Sequence, residues 1–319
     1  MPPTSIGSPG LWIGFVGFVI VMLALDLGVF HRKSHVVGFR EALGWSAVWI
    51  ALALVFNVGV WWAFGAQPGI EFLTGYLIEK SLSIDNIFVF VVIFSTLRIP
   101  ALYQHRVLFW GILSALILRA LMIFAGAAML ERFHWLIYVF GAFLILTGIK
   151  LFRQRGQEQR LEDSAALKLA RKLVPSTDRF DGDHFWTIEN GKRVATPLFL
   201  ALILVEFTDV VFALDSIPAI FAITRDPFIV FTSNIFAILG LRSLFFVLAD
   251  MVQRFTYLKV GLAAVLVFVG AKMSLVDLVK VPPTVSLLVI AALLGGSIWM
   301  SLAKSRRTAA ASEQTDLAA

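Results

Sequence analysis

Tyr76-Leu-Ile-Glu79-Lys-Ser-Leu-Ser-Ile-Asp85-Asn86 and Glu206-Phe-Thr-Asp209-Val-Val-Phe-Ala-Leu-Asp215-Ser216 are two versions of one pattern. Laid over each other, Glu79 falls on Asp209, Asp85 on Asp215, and Asn86 on Ser216. Both stretches lie inside long apolar sequence. A carboxylate within a membrane span is costly, by about 3 kcal/mol on insertion scales. Acids held at matched positions in two such stretches point to a site that handles a cation.

The surrounding composition is that of a membrane protein: 59% hydrophobic, 15% charged, with mean hydropathy +0.86. Many apolar stretches approach the roughly 20 residues that cross a bilayer as a helix. The expected spans are 11–30, 45–65, 70–96, 106–129, 134–152, 196–223, 228–249, 257–277 and 284–303, nine in all. A soluble all-helical protein would need polar faces on its surface helices, and these stretches lack them. The net charge of +6 does not indicate nucleic acid, because the basic residues fall in the loops. The chain has no cysteine, which excludes disulfides, thiolate metal sites and iron–sulfur clusters. The N-terminal segment lacks a basic region ahead of the first apolar stretch, so that stretch is expected to stay in the mature protein.

Lys and Arg are uneven between the two sets of loops, which sets orientation. One side carries Arg32, Lys33, Arg40, Arg98, Arg106, the 153–195 loop, Arg254, Lys304, Arg306 and Arg307; the other has little beyond Arg132, Arg225 and Lys280. The expectation is an N-terminus outside and a C-terminus in the cytoplasm. Within the central loop, Gln157 to Leu173 reads as a short charged helix and Pro175 to His184 as irregular and turn-like. Asp181-Gly-Asp183-His184 lacks the full calcium-loop pattern and reads as a solvated linker. The polar, Ala-rich tail from Thr308 is expected to be disordered.

The repeat extends beyond the acids. Gly111-Ile-Leu-Ser-Ala-Leu-Ile-Leu-Arg119 matches Asn234-Ile-Phe-Ala-Ile-Leu-Gly-Leu-Arg242, Phe133-His-Trp-Leu136 matches Phe255-Thr-Tyr-Leu258, and Thr147-Gly-Ile-Lys150 matches Val269-Gly-Ala-Lys272. The offsets are 130, 123 and 122 residues. Each unit holds three spans, an odd number, so the second enters from the opposite side: an inverted-topology repeat, common in secondary transporters. The expected organisation is two N-terminal helices (1–69), a first repeat (70–152), a cytoplasmic loop (153–195), a second repeat (196–279), and a last helix with its tail (280–319).

Carboxylates, an amide, hydroxyls and carbonyls form a hard oxygen set suited to Mn²⁺, Mg²⁺ or Ca²⁺. The candidate ligands are Glu79, Asp85, Asn86, Glu206, Asp209 and Asp215, with Asp26, Asn57, Ser216, Arg119 and Arg242 as accessories. On an ideal helix Asp215 points opposite Glu206, so a straight helix cannot converge Glu206, Asp209 and Asp215. Pro218 removes a backbone hydrogen bond and clashes with the carbonyl of Leu214, which predicts an interrupted helix around 212–218. Arg119 and Arg242 read as charge partners that balance an empty site. The plainer alternative is that the acids merely pair with Arg119, Arg242, Lys80 and Lys272. Asp26 is as well explained by a salt bridge to His31-Arg32-Lys33 as by cation exit, and Asn57 as well by helix–helix bonding as by ligation. The five histidines fall at span edges or in loops, away from an imidazole site.

Ala24-Leu-Asp26-Leu-Gly-Val-Phe-His31-Arg-Lys33, Glu79 through Asn86, and Glu206-Phe-Thr-Asp209 through Asp215-Ser-Ile-Pro218 together resemble the TerC/Alx family of integral membrane proteins. The resemblance covers residues 10–303. It implies metal-ion homeostasis, chiefly manganese export from the bacterial cytoplasm, in a family named for tellurium resistance and grouped with LysE-type exporters. It also implies that Glu79, Asp85, Glu206, Asp209 and Asp215 matter for transport.

The expectation is an all-α, polytopic inner-membrane exporter of a divalent cation, Mn²⁺ favoured, with lipid as its surroundings and protons as a counter-ion. No tightly bound cofactor and no nucleic acid partner are expected. A non-transporting scaffold for metal or tellurite stress and an exporter of small organic cations are the alternatives. An enzyme is not expected, since the spans hold no His-Glu-x-x-His or Gly-x-Ser-x-Gly pattern.

Overall fold

The computed structural model describes residues 5–28, 38–133, 135–153, 165–189, 191–248, 257–279 and 281–318. The side chains of Asp26 and Asp85 lie outside this description, although both residues sit on described helix backbone. Eleven helices are described: α1 (Pro9–Gly28), α2 (Phe39–Phe64), α3 (Ala66–Thr96), α4 (Ala101–Arg132), α5 (Leu136–Arg153), α6 (Ala165–Leu173), α7 (Pro197–Phe221), α8 (Pro227–Leu239), α9 (Leu241–Leu248), α10 (Leu258–Ser274) and α11 (Pro283–Ala318). Among the described residues α2, α4, α5, α7 and the Pro283–Lys304 part of α11 are long and apolar enough to cross a membrane. The α8–α9 pair forms a sixth such unit, bent by 41°. The protein is an all-α, polytopic membrane protein, with one small β-hairpin among the described residues.

The helices carry many large apolar side chains on their outer faces, as a membrane solvent allows, and the interior is mainly Leu, Ile, Val and Phe with a minority of polar groups among them. On α2 the buried stripe is Ala42, Ser46, Trp49, Ala53, Asn57 and Val60, a spacing of three and four that makes one helix face. Its other face exposes Val55, Val58 and Trp62, the last at 89%. α8 is buried all round from Phe228 to Leu239, which marks it as the innermost element. Asp226 caps it by accepting a hydrogen bond from the Phe228 amide at 2.8 Å. The same carboxylate accepts from the Ser5 hydroxyl and the Ile6 amide. The chain start is thereby tied to α8, and Trp12 and Phe15 of α1 pack edge-on against Phe228.

Each matched segment packs chiefly on the other. α3 runs alongside α8, with Gly75 against Ser233 and Lys80 against Ala237. α4 runs alongside α7, with Gly111 against Val205 and Gly126 against Phe221. α5 and α10 lie antiparallel at backbone contact. A Cβ on Gly270 would come 2.6 Å from the Gly141 carbonyl oxygen, and one on Gly148 would come 2.8 Å from that of Ala263. Only glycine admits such an approach.

Two expectations are corrected. First, α7 is continuous from Pro197 to Phe221, with Pro218 inside it, rather than interrupted around 212–218. Pro218 stands in the last turn, where one backbone bond is lost and little helix remains to be redirected. The break falls instead at Gly240, between α8 and α9. Second, the tail is helical: α11 runs on to Ala318, carried by alanines at 309–311, the strongest helix formers. The central loop, turn-like through residues 175–184, ends in a hairpin. β1 (Trp186–Glu189) and β2 (Lys192–Ala195) pair antiparallel. Asn190-Gly191 between them, with Gly191 at φ +73°, is a strong hairpin signal. The charged helix is described from Ala165 on; 157–164 lies outside the described residues.

The hairpin is fastened to the helix ends beneath it. Asp183 forms an ion pair with Arg106 of α4, whose guanidinium also lies over the Phe185 ring at 5.3 Å. Thr196, just ahead of α7, donates to the His184 carbonyl at 2.7 Å. Asp181 accepts from Thr187 at 2.8 Å, and His184 Nδ1 lies 2.9 Å from the Asp181 carbonyl oxygen. Asp181-Gly-Asp183-His184 is therefore a turn engaged in holding the hairpin.

Candidate functional site

At the centre, where α3, α4, α7 and α8 meet, Arg119 is enclosed by acids from both matched segments. Its Nε and Nη2 donate to the two oxygens of Asp209 at 3.2 and 2.8 Å, a bidentate fork. Its Nη1 donates to Glu79 Oε1, with Ser216 Oγ and Asn234 Oδ1 each at 3.4 Å. Asn234 Nδ2 in turn donates to Glu79 Oε2 at 3.1 Å. All five side chains are shut away: Glu79 and Asn234 at 0% exposure, Arg119 and Ser216 at 1%, Asp209 at 4%.

The local sequence explains the convergence. Glu79, Ser83 and Asn86 recur at spacings of four and three, one face of α3, and all three are buried. Asp209, Ala213 and Ser216 repeat that spacing on α7 and are buried as well. Gly75 and Gly111 let these helices approach close to α8 and α4, since a Cβ on either would sit 2.9 Å from a side chain opposite. Two carboxylates facing one guanidinium carry formal charges of two minus and one plus. A buried carboxylate pair with a surplus formal negative charge is expensive to hold.

The expected ligands do not all converge. Glu79, Asp209, Ser216 and Arg119 meet. Glu206 is half-buried one turn from Asp209 and accepts from Ser114 of α4. Asp215 is half-buried beside Thr147 and Lys150 of α5. Because α7 is not interrupted, its three acids stay on three bearings, as a straight helix requires. Asn86 is buried, and its Oδ1, like the Ser83 hydroxyl, has no hydrogen-bond partner among the described residues. Asn57 is buried on α2 with an unpartnered Oδ1. Arg242 is buried on α9. Of the alternative basic partners, Lys80 donates to the Ala237 carbonyl at 3.3 Å, and Lys272 donates to Ser286 at 2.9 Å with Glu71 close by. Among the described residues no group of three or more His, Asp or Glu side chains stands close enough to hold a metal ion.

Two buried polar residues are not marked by the repeat. Asn234 was visible only as the counterpart of Gly111. Glu71, buried at 8% and bonded to Gln67 at 2.9 Å, has Ala201 at its matched position, so a search for repeated acids passes over it.

Comparison with known proteins agrees with this architecture. An uncharacterized membrane protein of Myxococcus xanthus is 74% identical over 302 residues, covering 95% of each chain. A protein of Escherichia coli K12 carrying the provisional name membrane-bound redox modulator Alx is 48% identical over 295 residues, or 90% of this chain and 92% of that one. A membrane protein of Rickettsia bellii is 44% identical over 291 residues, or 91% and 96%. No solved structure matches the chain. The model of the integral membrane protein TerC family matches residues 64–309, and the chain belongs to that family.

Proposed function

We propose that the protein exports a divalent cation, Mn²⁺ favoured, across the bacterial inner membrane through the carboxylates of two inverted repeats. The observation that carries this reading is the fully buried Glu79–Arg119–Asp209 cluster, in which matched acids from the two repeats share one guanidinium. If Arg119 moves aside, two carboxylates face the cation and the charges of a divalent ion balance. Asn234, Ser216, Asn86 and Ser83 add neutral oxygens of the hard kind that Mn²⁺ accepts. Asp85, Glu206 and Asp215 are assigned to the approach on either side, where a carboxylate relay lowers the barrier to a dehydrating ion. Protons are the counter-ion in this scheme, taken by the same acids when the cation leaves.

The scheme has nine crossings. To the five helices and one bent pair it adds α1, α3 and α10. α10 has 17 residues, about 26 Å at 1.5 Å per residue, close to the hydrocarbon thickness of roughly 30 Å. Alternating access would then be rocking of one repeat against the other. The α5–α10 packing supports the repeat. The offset of 122 residues carries the Gly148–Ala263 contact onto Gly270–Gly141, the other close contact of that pair. The distribution of Lys and Arg supports an N-terminus outside and a C-terminus inside.

The name of the Escherichia coli relative suggests a second reading, redox modulation. This chain has no cysteine and so no thiol couple of its own. A redox effect would run through the metal it moves, or through partners docked on the 153–195 loop. Mn²⁺ flux in proteoliposomes, with and without a pH gradient, tests the proposal. Flux is expected, is lost in Asp209→Asn and in Asp215→Asn, and is accelerated by an opposing proton gradient. No flux of Mn²⁺, Ca²⁺ or Mg²⁺ from folded protein would turn the assignment toward a scaffold.

A further inference from the structure

The two segments meet at one carboxylate pair but serve it unequally. Arg119 holds both Glu79 and Asp209. Its counterpart Arg242, also buried, stands two residues past the 41° break at Gly240. Glu79 and Asp209 are counterparts of each other. An exchange of conformations between the segments therefore maps the carboxylate pair onto itself and maps Arg119 onto Arg242. We propose that the two guanidiniums take turns on this pair, Arg119 in the state described and Arg242 in the opposite one, with the cation seated in the interval between them. This deepens the transport reading and rests on it.

The structure supplies the moving part. α9 is an eight-residue helix (Leu241–Leu248) that carries Arg242 just beyond the break. Gly240 is closely packed at the break: a Cβ would lie 2.9 Å from Lys80 Nζ and 3.1 Å from Trp49 Cβ, so α3 and α2 press directly on the bend. Lys80 directly follows Glu79 and donates to the Ala237 carbonyl in the last turn of α8. Displacement of α3 at Glu79 is thus passed to the break by the next residue along. In the first segment, Ile117 of unbroken α4 occupies the position matching Gly240 and is 60% exposed. A bend there would swing the buried Arg119 and Ile123 beyond it off the central acids, giving α4 the shape that α8–α9 now has.

The absence of cysteine makes the exchange measurable. Ser83→Cys and Ser233→Cys, each as sole thiol, place reporters at positions now 0% exposed, on α3 beyond Glu79 and on α8 against Gly75. Labelling by a membrane-impermeant maleimide is followed from each face of proteoliposomes, without cargo. Arg242→Gln is expected to leave both reporters protected. Arg119→Gln, which hands the pair to Arg242, should raise the rate at one reporter about tenfold from one face only, an equilibrium shift of the size such gating requires. Adding Arg242→Gln to Arg119→Gln should abolish that gain. Arg119→Lys keeps the charge but not the fork and should show a smaller gain in the same direction, which covers a poorly folded glutamine variant. A double variant that labels like Arg119→Gln alone, or a gain equal from both faces, overturns the exchange. The labelling needs no metal, so a failed Mn²⁺ flux would sink only the transport reading.

Discussion

α4 and the α8–α9 pair are written in one pattern and take two shapes. Both place an Arg eight residues after the start of the match, at 119 and 242, with Ser114 opposite Ala237 and Ile117 opposite Gly240. α4 runs unbroken for 32 residues, and its Arg reaches the central acids. α8 stops at Leu239, Gly240 follows, and α9 continues on a new axis. At the matched turn the first segment offers a hydroxyl to Glu206, whereas the second offers a bare carbonyl to Lys80. A repeat in sequence thus fixes where charges fall along each helix. Whether the helix stays straight rests on one side chain at the break and on what packs against it.

The sharpest test of this contrast is at the acids. Asp209→Asn breaks the charge-assisted fork with Arg119 while leaving Glu79 to balance it, a loss of about 1.5–3 kcal/mol, so it should lower the thermal midpoint in detergent as well as stop flux. Glu206→Met, half-buried on the same helix, removes the acceptor of the Ser114 hydroxyl and should cost about 1 kcal/mol, the value of one hydrogen bond. Equal losses would mean that the central cluster is not special. Next comes the break. Gly240→Ala favours continuous helix by about 1 kcal/mol and should slow flux several-fold while preserving insertion; unchanged flux would show that the bend does not move. Ile117→Gly in α4 should destabilise by about the same amount without slowing the cycle. Lys80→Met removes a single donor from the Ala237 carbonyl, worth about 1 kcal/mol, and its effect should shrink when Gly240→Ala is already present, as read by a double-mutant cycle of unfolding free energies. Smallest is Pro218→Ala. Because α7 already runs through this position, stability should change by less than about 1 kcal/mol and flux should persist; lost flux would restore a role for this proline.

The sequence reading and the structure part company for identifiable reasons. Pro218 predicts a break, yet near a helix end it has only one bond to remove, while a glycine in mid-span, flanked by Trp49 and Lys80, marks the bend. The hairpin was legible in Asn190-Gly191 but hidden by the hydrophilic loop around it. Asn234 and Glu71 were passed over because they have no acidic counterpart in the other segment.

Alone, the sequence determined that the chain lies in a membrane, since a bilayer accepts only long apolar helices whose backbone bonds close internally. It pointed to Glu79 and Asp209 as acids within apolar helices, because ionisable groups there are too costly to be incidental, and to Arg119 as a charge partner, while it passed over buried Glu71. Which acids share that guanidinium was decided only by packing. Glu206, Asp209 and Asp215 occupy one helix, but helical geometry points them in three directions, and only the approach of α3, α4 and α8 selects Asp209 to face Glu79. Spacing along a chain gives the bearing of each side chain about its own axis. The neighbour on that bearing belongs to another helix, and its place follows from how small residues let the helices close.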